Sequence, residues 1–568
     1  MDEREGSRSV AQTSSSAGST RIGSAWHPPN LKSFVRSLQV AGEAADPCSI
    51  LAFEGGPPQL TPAWAAASGS TQYMNPVLAT SRRLLFAAVF AVGLAAATSV
   101  IPPDARAQMH TAFIQYPVPP FESPQADLAY ARVYQAGARF VKLTVNWRDV
   151  ASSGRPATPE DPDDPAYMWQ AIDAKVSGAR DRGLEPILMV MHAPAWASTD
   201  ANGWVKPDPI EFGRFAQAVA TRYSGNYSVP GSEFSFGETT LPRVRHWQAW
   251  NEPNLAHYLS PQFEGTRLVA AERYRRMVNA FSKAVKSVAV SPSTQPNLVL
   301  AGGTGPFRRT RNSAPLRFMR EFLCLRKNLT RKPNCPKVAF DIWGHHPYTS
   351  GGPTQEALGR GDVSLGDLPE MREVLRAAMN RGTIISNGKV RFWADEFSWD
   401  TKPPDPGGVP AKLHARWTAE ALYRMSRAGI SLVAWLQLMD NEWTGRCGNP
   451  YQSGLYTYAE DFQNAKAKRS LAAYRFPFVA LREGKRIRIW GRTPTSTGGT
   501  VAIQRKTSKG WLRVGRLNAN ASGIFTTRYR RPWTSGHLRA KYGAAASLPF
   551  GLKPVKNRRF NTFGAMCG

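Results

Sequence analysis

The chain of 568 residues holds only five cysteines, with no Cys-x-x-Cys pair and no accompanying His cluster, which counts against a structural zinc site. Acids are scarce, 42 Asp and Glu against 72 Lys and Arg, yet no zinc-finger spacing, helix-turn-helix pattern or aromatic RNA-binding signature accompanies the excess of positive charge. Nucleic acid is therefore not expected as a partner. The apolar run Leu84 to Ala97 has 14 residues, short of the roughly 20 that a membrane-spanning helix needs. No repeat is evident, and no glycine-rich phosphate turn follows the first strand candidate.

What the chain has in quantity is aromatic residues, with 17 Trp, 17 Tyr and 26 Phe, enough for a large folded core and a ring-lined site. Its length implies a large domain and a smaller module, because single cores seldom grow far beyond ~300 residues. The charge is uneven. From Phe476 to Gly568 there are 19 Lys or Arg and one acid, Glu483, so this end carries much of the net +30. Such a stretch reads as a solvated basic sheet surface or as a contact to an anionic cell envelope.

Near the start, Ser81-Arg82-Arg83 leads into Leu84 to Ala97 and then Ala105-Arg106-Ala107 before Gln108. A positive segment, a short apolar segment and a small-residue cleavage site make a secretory signal peptide, expected over 74–107. Residues 1–73 then read as a misannotated or disordered leader, with translation from Met74. The mature protein is expected to be secreted, without a stable membrane span. Cysteine usage agrees with an oxidising destination. Apart from Cys48, the remaining Cys324, Cys335, Cys447 and Cys567 allow three pairings, of which Cys324–Cys335 with Cys447–Cys567 is preferred.

Between about 108 and 475, short β-branched or aromatic runs alternate with helical patterns. Strands are expected at 111–116, 140–147, 186–191, 244–251, 297–302, 339–345, 390–396 and 431–437. Trp169, Ile172, Val176 and Ala179, then Tyr274, Met277, Phe281, Ala284 and Val288, recur at helical spacing. The first of these helices is expected to follow a cap at Asp164-Pro165 and to stop at Gly183. Gly302 to Gly305 reads as the loop after strand five. Eight strands alternating with helices predict a (β/α)8 TIM barrel. From 476 to 568 short alternating runs predict a small antiparallel β-sandwich, docked through the apolar junction Arg475-Phe476-Pro477-Phe478.

Active sites of such barrels form where the strands end, and two glutamates stand at those ends. Strand four runs into Trp250-Asn251-Glu252-Pro253-Asn254, and strand seven ends in Asp395-Glu396-Phe397-Ser398. Glycoside cleavage requires two carboxyl groups flanking the bond, and retention requires them about 5 Å apart.

Trp-Asn-Glu-Pro-Asn with the second Glu after strand seven resembles the (β/α)8 clan of retaining glycoside hydrolases that includes families 5 and 39, over residues 108–475. The resemblance implies that Glu252 is acid/base, that Glu396 is nucleophile, and that Asn251 bonds the sugar 2-hydroxyl. His346-Pro347-Tyr348 resembles the His-x-Tyr of such enzymes, implying that His346 contacts sugar and that Tyr348 supports the nucleophile. Neither a cofactor nor a metal is implied. Where relatives often carry Thr-Glu-Phe-Gly, this chain has Asp395-Glu396-Phe397-Ser398, and strand alternation should turn Asp395 away from the pocket.

Arg148 after strand two and His192 after strand three are further candidates for the pocket. Trp435 on strand eight suits a platform beneath a sugar ring or a core position equally. His345 and His346 should face opposite ways, which argues against a shared metal. The acidic loop Glu160 to Asp164 reads as a solvated helix N-terminus. The activity expected is hydrolysis of O-glycosidic bonds, β-linked, with retention. The alternatives are transglycosylation through the same intermediate, and a secreted non-catalytic carbohydrate- or envelope-binding protein.

Overall fold

The computed structural model describes residues 108–560, apart from 117–119, 123, 230–237, 292, 309–310, 446–450, 531–532 and 534. The signal peptide, the leader, and Cys48, Cys447 and Cys567 lie outside the described residues. Cys324 and Cys335 are joined by a disulfide.

All eight expected barrel strands form: β1 His110–Ile114, β2 Phe140–Asn146, β3 Glu185–Met191, β4 His246–Ala249, β5 Leu298–Thr304, β6 Ile342–His345, β7 Arg391–Phe397 and β8 Ile430–Leu436. They pair in parallel and in chain order, and β8 closes on β1. Side chains alternate across each strand, so one set fills the lumen and the other meets the helices. Ala112, Ile187, Leu298, Leu300, Ile342, Trp393, Leu432 and Ala434 form the lumen cluster.

Around the barrel lie α1 Ala126–Gln135, α2 Gln170–Asp181, α3 Pro209–Arg222, α4 Val269–Ser287, α5 Pro315–Phe322, α6 Leu368–Asn380, α7 Ala411–Arg427 and α8 Arg469–Arg475. The stripe of α4 is the expected one, with Tyr274, Met277, Phe281 and Ala284 buried. In α2 the expected start is displaced. The helix begins at Gln170, and the Asp164 carboxylate instead accepts the amides of Thr158 and Ala166 within the preceding loop. Asp161 likewise accepts the Asp163 amide, so these acids organise a loop rather than a helix N-terminus. The stop at Gly183 holds, its φ of 69° being one that glycine adopts without strain.

Two antiparallel sheets follow the barrel. One comprises β9 Phe478–Glu483, β10 Arg486–Arg492 and β13 Ile524–Arg530; the other is built on β11 Gly499–Thr507, β12 Gly510–Ala519 and β14 His537–Tyr542. Phe478, the last residue of the expected junction, starts β9. Hydrogen bonds cross the seam with the barrel. Arg492, fully buried on β10, donates to the carbonyls of Met109 and Tyr474 and to the Thr111 hydroxyl, and the Tyr474 hydroxyl donates to the Ala112 carbonyl. Burial lowers the Arg492 pKa to about 10.

Candidate active site

Strand four delivers Glu252 through a tight turn, with φ of 69° at Trp250 and 39° at Glu252. Left-handed backbone at non-glycine residues costs on the order of 1–3 kcal/mol each, and it clusters at functional sites. The turn is pinned to strand five. The Glu252 amide donates to the Gly303 carbonyl at 3.0 Å, and the Asn254 side chain takes the Gly305 amide and donates to the carbonyls of Gly305 and Ser313.

Gly302 to Thr304 belong to β5 rather than to a loop, with φ of 98° and 55° at the two glycines. Their lack of side chains is required. A Cβ on Gly303 would lie 2.8 Å from Gln248 Nε2 and 3.0 Å from Asp395 Oδ2, and one on Gly305 would lie 3.0 Å from Glu252 Oε1.

Strand seven delivers Glu396, and its register against β8 slips between Ala394 and Phe397. The slip lets Asp395 and Glu396 both serve the barrel end, which strict alternation would forbid. This corrects the expected orientation of Asp395. Its carboxylate, fully buried, faces the barrel interior, where Lys142 Nζ donates to Oδ2 at 3.1 Å and to the backbone carbonyl at 3.2 Å. Burial alone would raise its pKa, but the Lys142 and His346 charges outweigh it and hold Asp395 well below the carboxylate range.

His346 joins this pair to the glutamates. Its Nε2 lies 3.2 Å from Asp395 Oδ2, and its Nδ1 lies 2.9 Å from Glu252 Oε1 and 3.9 Å from Glu396 Oε1. Burial works against the imidazolium, yet Glu396, Asp395 and Glu252 together raise its pKa to about 10. Both ring nitrogens are engaged and the side chain has no exposed surface. His345 turns the other way, to the Thr304 hydroxyl and the Val363 carbonyl.

The Tyr348 hydroxyl donates to Glu396 Oε1 at 2.8 Å. Asn251 is buried, and its Oδ1 has no hydrogen-bond partner among the described residues. The glutamate side chains keep 14 % and 18 % of their exposure where His346 beneath them keeps none, so the cluster opens outward through these two groups.

Trp435 is a core residue. It is fully buried, donates to the Ser453 carbonyl and packs on Phe397, His414 and Tyr474. The reason is parity. Ala434 faces the lumen, so Trp435 faces the helices, and Leu436 rejoins the site in a cluster with Ile114 and Tyr348. Arg148 and His192 stand together, the Arg148 amide donating to the His192 carbonyl, and among the described residues no hydrogen bond or ion pair ties either to the glutamates. Burial, helped by Arg148, lowers the His192 pKa to about 4. The Trp204 ring packs against both His192 and Tyr258.

Three tyrosines escaped the sequence reading. Burial, with the Glu252 and Glu396 charges, raises the phenol pKa values of Tyr258 and Tyr451. Tyr116, half exposed, packs edge-on against Tyr451 at 6.3 Å. Gln437 holds this corner, taking the Tyr116 amide and donating to the Tyr451 carbonyl. Only Tyr258, six residues beyond Glu252, had a positional signal.

No protein-family model and no curated protein matches the chain. Solved structures share its architecture. A family 39 glycoside hydrolase from Bacteroides cellulosilyticus WH2 aligns at 14 % identity and a TM-score of 0.43, over 75 % of this chain and 82 % of that one. A glucosidase from Croceicoccus marinus aligns at 13 % identity and 0.40, over 75 % and 94 %, and a GH30 endoxylanase from Clostridium papyrosolvens C71 at 10 % and 0.38, over 75 % and 94 %. At these values the likeness is one of architecture only.

Proposed function

We propose that the chain is a glycoside hydrolase that cleaves β-linked O-glycosidic bonds with retention. One observation carries the reading: a single imidazole nitrogen lies 2.9 Å from one glutamate and 3.9 Å from the other. The two oxygens are then no further apart than those distances laid end to end. That bound admits the roughly 5–5.5 Å of double displacement and reaches only the lower edge of the roughly 6.5–9.5 Å that leaves room for a water in inversion.

Glu396 attacks the anomeric carbon while Glu252 gives its proton to the departing oxygen, forming a glycosyl ester on Glu396. Glu252 then takes a proton from water, and the resulting hydroxide equivalent attacks the same carbon and releases Glu396. Tyr348 orients the nucleophile, His346 orients the acid/base, and the unpaired Asn251 Oδ1 accepts from a sugar hydroxyl. Arg148, His192, Trp204, Tyr258 and Tyr451 form a wall of the site. No step calls for a cofactor.

The test is turnover of activated aryl β-glycosides. Glu396→Ala should lose activity by about 10⁴-fold or more, and azide should rescue Glu252→Ala with a β-glycosyl azide as product. An α-glycosyl azide would overturn retention. Sugar binding without turnover in the wild type would favour the binding protein, and transfer of the glycosyl group to sugar in place of water would favour the transglycosylase.

We also propose that the mature protein is exported and adheres to an anionic cell envelope through its second module. In the sheet of β11, β12 and β14, Arg513 and Arg539 flank Gln504 while Arg516 and Lys541 flank Ala502, and Lys506 sits opposite Trp511. Val501, Ile503, Leu538 and Ala540 are buried on the other side. Among the described residues these cations have no acidic partner; Glu483, the module's acid, is held by Arg488 and Arg528. Replacing Arg513, Arg516 and Lys541 by Gln should weaken retention on an anionic polymer and flatten its salt dependence; an unchanged salt profile would refute this contact.

A further inference from the structure

We propose that the cavity at the seam between α7, α8 and the second module binds an oxyanion, a carboxylate or phosphate carried on a body the size of a sugar ring. The cavity, of about 330 Å³, lies apart from the glutamate pair and is lined by Lys412 and Arg416 of α7, Arg469 of α8, His537 of β14 and Lys553 of the C-terminal segment. No acid lines it among the described residues. Its floor is apolar, with Phe478 and Phe550 among the lining residues.

Arg416 defines the recognition. Its guanidinium lies 3.8 Å over the Phe550 ring, and Nη1 donates to the Gly551 carbonyl at 2.8 Å. Nε is enclosed within the protein, which leaves Nη2 as the nitrogen that can meet a carboxylate or phosphate with a charge-assisted hydrogen bond. The acid one turn along, Glu420, gives Oε1 to both Nε and Nη2 of Arg424. A half-buried guanidinium fixed in orientation lies beside other cations in a lining without an acid among the described residues. The lining comes from barrel helices and from the second module, so a bound anion also fastens one to the other.

The experiment is thermal unfolding of the full chain at constant ionic strength in chloride, titrated separately with glucuronate, inorganic phosphate and glucose. Glucuronate is expected to raise Tm saturably, by about 2 °C or more, and glucose to leave it unchanged. A shift by phosphate equal to that by glucuronate assigns the site to the oxyanion alone; a larger glucuronate shift assigns it to an acidic sugar. Arg416→Gln removes the oriented cation, so at least half of the shift should vanish. Should that variant fail to fold, Lys412→Gln with Lys553→Gln, both exposed, should weaken the apparent affinity by about tenfold. No shift with either anion, or an equal shift in the wild type and in the variants, overturns the proposal.

Discussion

Removing Lys142 isolates the charge cluster beneath the glutamates. Its side chain is fully buried and donates twice to Asp395, once to the carboxylate and once to the main chain. Lys142→Met keeps most of the volume and removes the cation, leaving Asp395 with His346 as its remaining charge partner. Breaking a buried pair from one side costs about 3–5 kcal/mol, because the surviving charge stays desolvated. The loss should depend on pH in a defined direction. Asp395 has a depressed pKa in the folded protein, so its contribution is present above the ordinary carboxylate range and is lost as pH falls through the folded value. Lys142→Met lets that value rise. The deficit against wild type should therefore be full at pH 7 and close on acidification as Asp395 takes a proton. Denaturant midpoints of both proteins at pH 7 and pH 4 measure it. Lys142→Met with Asp395→Asn should recover part of the loss, since the stranded charge goes with its partner. A single variant within about 0.5 kcal/mol of wild type at pH 7, or a deficit that grows on acidification, would refute the buried relay.

Three buried histidines and the half-buried His192 resist a charge: burial lowers His192 to about 4 and His246, His345 and His414 to about 3. The unfolded chain takes up these protons near pH 6.5 and the fold resists them, so stability should decline as pH drops from 6.5 towards 3, by up to about 1.4 kcal/mol per pH unit for each. His346 acts in the opposite sense, its contribution complete below 6.5 and lost as pH rises through about 10. A denaturant midpoint that stays flat from pH 7 to 5 would contradict this reading. Truncation after Tyr474 removes Arg492 and exposes the barrel bases of β1 and α7, so it should give insoluble or strongly destabilised protein; a soluble barrel with wild-type Tm would show that the seam contributes nothing.

The strands were legible because each is a short β-branched or aromatic run between helical stretches, and the two glutamates because they sit where such strands end. Parity was harder to read. Trp435 looks like a platform as a residue type, and only its place one step from lumen-facing Ala434 sends it into the core. Asp395 failed for the opposite reason, because the slipped register of β7 breaks the alternation on which its expected direction rested. The role of His346 depended on that same side chain, so the relay could not be read without it. Tyr451 and Gln437 reach the site through loop geometry that no local pattern announces. The sandwich was visible as alternation, but the burial of Arg492, a charged residue in a run of charged residues, was not.

The two sets of positive charge in this molecule live in different media. Lys142 and His346 sit where no counterion can enter, whereas the row of arginines and lysines on β12 and β14 faces solvent, where fields fade over about 8 Å at physiological ionic strength. Salt is therefore a control that reaches one end of the protein and not the other. A rise in ionic strength sufficient to free the sheet from an anionic surface leaves the geometry around the glutamates untouched, so that where the protein resides and how its site is set can vary independently.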